Sequence, residues 1–157
     1  MNGEGHPYQV EPSEDRYWQA RHELAAAARA LNETVVSTDI SLDTATEITE
    51  AMRQLTQRLK KEPQLTGFVD MARRKDRGSI DNVMGELVAM AGRSHPSAPA
   101  LTWHEEPNRI VGEVVCGPAF EGPPGHAHGG WVAGILDHLM GMTHVKTGRP
   151  GMTSGLS

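Results

Sequence analysis

The chain holds a single cysteine, Cys116. An internal disulfide is therefore excluded, and a reducing compartment fits. Aromatic residues make up only 4% of the 157, so a large core must be built from aliphatic residues and methionine. No apolar run approaches the ~20 residues of a membrane span, which predicts no contact with a bilayer core. Basic residues do not dominate. The formal net charge is -5, which leaves no electrostatic footprint for nucleic acid. Met1 to Pro12 has neither a basic n-region nor an apolar h-region, so no secretory leader is expected and the expected location is cytoplasmic. There is no internal repeat and no Gly-x-Ser-x-Gly nucleophile elbow.

Glycine and proline are plentiful, at 17 and 10 residues, while apolar residues reach only 38%. That balance predicts a partly ordered chain, one domain with an appended arm. Residues 1–12 hold little apolar material and are expected to form a disordered tail. A helical region is expected over 13–93. Ser13 is the N-cap of an alanine-rich helix reaching Leu31, with Asn32 to Asp39 breaking the pattern. A second helix starts near Ser41 or Asp43 and runs to Lys61. Its Ile48, Met52, Leu55 and Leu59 form one apolar stripe, suited to a core or to helix pairing, and Pro63 follows its end. A third runs from Ser79 to Ala91, with Gly92 at its end. The basic run between Arg73 and Arg77 is a solvated face.

Pro96 and Pro99 mark 94–100 as a linker, after which the pattern turns from helix to strand. Arg109 to Cys116 is rich in Val and Ile, and Ile110, Gly112, Val114 and Cys116 share one face. Gly117 to Gly130 is a long loop. From Trp131 to Met142 the only polar side chains are Asp137 and His138, and a helix apolar on nearly every side belongs in a core. Met152 to Ser157 reads as the first half of another strand.

The chemistry gathers around this last helix. His128-Gly129-Gly130 places backbone N–H groups at the positive end of a helix dipole, where glycine lets a ligand come close. Such donors suit an oxyanion. A tight turn that needs glycine for steric reasons explains the same residues. Asp137 on an apolar helix suits a general base, because burial raises a carboxylate's pKa. An Asp satisfied by a backbone or hydroxyl partner is the structural alternative. Gly130 and Asp137 are seven residues apart, hence about 10 Å along one helix. They cannot both serve one reacting carbon within a chain. If both act, a dimer with antiparallel helices must share the site. His126 and His128 invite a metal reading, as in a small metal-dependent hydrolase. They lack an acidic anchor nearby, so neither metal nor bound cofactor is expected. His144 is a surface residue. Cys116 on a strand is a packing residue.

Taken together, Phe120-Glu-Gly-Pro-Pro-Gly-His-Ala-His-Gly-Gly, Ile135-Leu-Asp137 and Gly148-Arg-Pro-Gly-Met-Thr-Ser-Gly-Leu-Ser157 resemble hotdog-fold thioesterases of the phenylacetyl-CoA-type (PaaI-like) branch. The resemblance covers about Arg109 to Ser157. It implies an α+β fold in which an antiparallel sheet wraps a central helix, with 101–157 as the N-terminal part of the hotdog domain. It implies hydrolysis of acyl-CoA at a site shared by a homodimer or a higher homo-oligomer. Gly130 matches the oxyanion-hole glycine, Asp137 the catalytic acid, His128 the orienting histidine and Thr153 a water-positioning strand residue. Gly129 and His126 fall beside them, where substrate would bind. Family members continue for several strands beyond Met152. The expected sheet is therefore partial, its missing strands absent or supplied by another chain, and the activity of this chain alone is in doubt. The alternative is a non-catalytic helical interaction or acyl-CoA-binding protein.

Overall fold

The computed structural model describes residues 16–74, 77–148 and 151–155. The tail expected over 1–12 and the N-cap expected at Ser13 lie outside the described residues. The fold is mixed α+β. In chain order it has α1 (Arg16–Ser37), α2 (Leu42–Leu59), α3 (Phe68–Ala72), α4 (Ile80–Leu87), β1 (Ala100–Glu106), β2 (Arg109–Val115) and α5 (Gly129–Lys146). A short 3-10 turn spans Pro118–Phe120.

Helix α1 does not stop at Leu31, as the sequence predicts, but continues to Ser37. The hydroxyls of Thr34 and Ser37 each donate to the carbonyl four residues back, at 2.8 Å, so these turn formers are satisfied inside the helix. Helix α2 starts where expected, with Ser41 accepting the Thr44 N–H at 3.2 Å, and none of its side chains is buried. Helix α4 opens with a capping box between Ser79 and Asn82. It ends at Leu87 rather than Ala91 because the chain folds back. The Ser94 N–H donates at 2.9 Å to the Glu86 carbonyl, the acceptor that residue 90 would need in a longer helix. Gly92 permits this turn, since a Cβ there would lie 2.6 Å from the Val88 carbonyl oxygen.

Trp18, Met71 and Val83 form the helical core, with Tyr17, Phe68 and Leu87 packed around it. Beside it lies a buried polar knot. The Glu86 carboxylate, fully buried, is 2.6 Å from His22 Nε2 and accepts the Ser94 hydroxyl at 2.7 Å. Residues 94–99 are irregular yet fixed in place, and Ala100, expected within the linker, already opens β1. Arg29 donates to the carbonyls of Arg93 at 3.3 Å and His95 at 2.9 Å, and Ala98 is buried.

The sheet is a two-stranded antiparallel hairpin, paired from Ala100↔Val115 to Glu106↔Arg109. Strand β2 and its half-buried face at Ile110, Gly112 and Val114 follow the sequence pattern. Strand β1 was not apparent there, because prolines precede it and His104, Glu105 and Glu106 dilute its β character. Helix α5 lies on β2. Gly112 is the notch that admits it, because a Cβ there would meet Leu139 Cδ1 at 2.6 Å. Phe120 packs edge-on against Trp131 at one end of α5, with ring centroids 4.9 Å apart. At the other end Lys146 reaches the Glu105 carboxylate and the Glu106 carbonyl, each at 3.0 Å. Elsewhere on α5 Val132, Leu136 and Met140 are exposed. The strand expected from Met152 is not formed within the described residues. Residues 151–155 pair with no strand, and Thr153 is held by its side chain instead.

Candidate active site

The loop from Gly117 to His128 is a built structure. The Phe120 carbonyl accepts the His128 N–H and the His126 carbonyl accepts the Gly122 N–H, both at 2.8 Å. An antiparallel bridge joins Glu121 to Ala127. Gly122 allows the two arms to touch, since a Cβ there would come within 2.8 Å of His128 Cα. Gly125 turns the tip with φ of 76°, a left-handed conformation natural to glycine, and its N–H bonds the Glu121 carboxylate at 2.6 Å. Helix α1 holds the loop from outside. Glu33 Oε2 accepts the Ala119 N–H at 3.0 Å, and its carboxylate fills the space beside Gly117.

This scaffold sets His128 as the N-cap of α5. Its Nδ1 accepts the Gly130 N–H at 3.0 Å. The geometry requires the neutral imidazole, with its proton on Nε2. The sequence predicts a free donor at Gly130; here that donor is engaged. The Gly129 N–H, one position earlier, makes no hydrogen bond among the described residues, and both glycines are exposed. His126 is exposed and directs Nδ1 at the Pro124 carbonyl, 2.9 Å away, within its own turn. Among the described residues no three His, Cys, Asp or Glu side chains converge as a metal site would need. No described helix is long and apolar enough to cross a membrane.

Two turns into α5, the Thr153 hydroxyl donates to Asp137 Oδ1. These two expected site residues meet although they are 16 positions apart. They border an open pocket of about 470 Å3 whose walls include Val88, His138, Met142 and Val145. Burial holds the His138 imidazole below the usual histidine range, against the opposing pull of Asp137. The pocket therefore pairs a carboxylate with a neutral imidazole and apolar walls. Gly129, Gly130, His126 and His128 do not line it. The structure thus groups the expected residues into two sets on one helix, the glycine donors at its start and the Asp137–Thr153 pair along its side.

Three contributors were not apparent in the sequence. Met84 and Val88 come to the pocket from α4 and its C-cap, through a fold-back that no local pattern announces. Glu33, near the end of α1 and 86 residues from its partner Ala119, carries no local signal at all. No known protein family, curated protein or solved structure matches the chain.

Proposed function

We propose that this chain hydrolyses acyl-CoA thioesters, as a dimeric hotdog-type thioesterase without a metal or bound cofactor. The observation that carries the proposal is the Asp137 carboxylate, held by the Thr153 hydroxyl at the wall of a largely apolar pocket. A carboxylate fixed beside a greasy cavity suits a base that activates water against an acyl group. Asp137 takes a proton from water as the oxygen attacks the thioester carbonyl. The developing oxyanion accepts N–H groups from Gly129 and Gly130 of a second protomer's helix, laid antiparallel. His128 swings off Gly130 to release that donor, and His126 lies at the rim where the CoA portion passes. The tetrahedral intermediate then expels the CoA thiolate, which takes up the proton held by Asp137.

The test is release of CoA thiol from short, medium, long and aromatic acyl-CoAs by the 157-residue chain, beside Asp137→Asn. Release that the substitution abolishes supports hydrolysis. Equal release by both proteins removes Asp137 from the mechanism.

A second reading has one observation in its favour. With the Gly130 N–H held by His128, the chain would bind acyl-CoA without cleaving it. Under that reading both proteins bind an intact acyl-CoA with equal affinity and release no thiol.

A further inference from the structure

The elements that pack on one another most closely are α3 with α4, α1 with the 3-10 turn, α5 with β2, and β1 with β2. Helix α2 belongs to none of these pairings, and none of its residues is buried. Yet it carries a continuous apolar stripe. Met52, Leu55 and Leu59 are 44%, 54% and 55% exposed, and Ile48 continues their line. The spacing from Ile48 alternates four, three and four, the a/d pattern of a helix that packs along another helix. A helix of this length draws most of its stability from such packing rather than from propensity. Among the described residues no element packs closely along it, and only Ile48 of the stripe is half-buried.

The charges say what does. Asp43, Glu47 and Glu50 lie in the first half of α2; Arg53, Arg58, Lys60 and Lys61, with the single acid Glu62, lie in the second half and just past its end, so the two halves keep opposite sign. A parallel copy would set acid against acid and base against base. An antiparallel copy sets each acidic half against a basic one. The stripe agrees with that direction. Turned end for end, it lays Ile48 on Leu59 of the second copy and Met52 on Leu55, so each apolar layer meets an apolar layer.

We infer that α2 is a self-association surface, and that two copies of this chain pair through antiparallel α2 helices. The inference stands apart from the hydrolytic reading, since α2 contributes nothing to the pocket or to the loop around His128. The contact from Ile48 to Leu59 is about 16 Å long, so the pairing is reversible and concentration-dependent.

Sedimentation velocity on the full chain tests it. Leu55→Glu is expected to halve the mass of the particle, while Gln57→Glu, the same charge change on the polar face, leaves it intact. Because α2 lies outside the core, Leu55→Glu should keep the near-ultraviolet signal of Trp18. An unchanged mass for Leu55→Glu overturns the inference. So does a monomeric wild-type chain that binds phosphatidylcholine–phosphatidylserine vesicles through the same stripe, which would make α2 a membrane-surface helix.

Direction is tested in a Cys116→Ser background under mild oxidation. Ile48→Cys and Leu59→Cys together are expected to give an interchain disulfide, and neither alone. Cross-linking by Ile48→Cys alone means parallel helices and overturns the antiparallel pairing.

Discussion

The Gly130 N–H donates to His128 Nδ1 at 3.0 Å, so the histidine that opens helix α5 also covers the donor expected to face substrate. An N-cap acceptor of this kind is worth about 1 kcal/mol. His128→Ala should lower the melting temperature by a few degrees, and His128→Asn, whose side-chain oxygen can accept the same N–H, should restore most of it. Equal melting of all three proteins would show that the bond contributes nothing to stability.

Thr153 borders the pocket, and its hydroxyl holds Asp137 Oδ1. Misplacing a base by about 1 Å can cost up to ~10²-fold in rate. Thr153→Val is therefore expected to reduce kcat while KM stays near its original value, and Thr153→Ser should recover the rate. A rise in KM at constant kcat would instead make Thr153 a substrate contact.

Gly112 concerns packing alone. Any Cβ at this position meets Leu139 at 2.6 Å, and overpacking of this kind costs about 1–3 kcal/mol. Gly112→Val should lower the melting temperature clearly, and adding Leu139→Ala should return part of the loss by making room. Additive losses in the double variant would mean that the clash is not what Gly112 avoids.

Acid should weaken the fold through two histidines. Burial lowers the pKa of His138, and burial with the nearby Arg29 guanidinium lowers that of His95. Both are held neutral in the folded state more strongly than in the unfolded chain. The unfolded chain therefore takes up protons first as pH falls through the ordinary histidine range near ~6.5. The stabilisation is complete above that range and is lost below it. Melting temperature followed from pH 8 to pH 5 should decline. The double variant His95→Gln, His138→Gln should show a flatter decline, and parallel curves would assign the acid sensitivity to other groups.

What the sequence made legible was local. The start of α2 at Ser41, its apolar stripe, the Ser79 cap and the half-buried face of β2 all follow from residues within a turn or two of each other. What it concealed was set at a distance. The end of α4 depends on Ser94 returning to Glu86. The last turns of α1 are retained while Glu33 grips the loop at Ala119. At the candidate site, Asp137 and Thr153 were both singled out, and they do meet. Thr153 arrives on an irregular segment rather than a strand, because residues 151–155 have no strand partner among the described residues. The engagement of Gly130 by His128 was hidden for a different reason. A sequence shows that an N–H is available, but the rotamer of its neighbour decides whether it is free.

The grip of Glu33 on Ala119 also sets an order of events during synthesis. The acceptor is made first and its donor 86 residues later. At about 5–20 residues per second, the helix waits some ~4 to 17 s for the segment it is to hold. Through that interval the Glu33 carboxylate faces water. The loop that presents His128 and the two glycines can settle against α1 only once its own residues have been made.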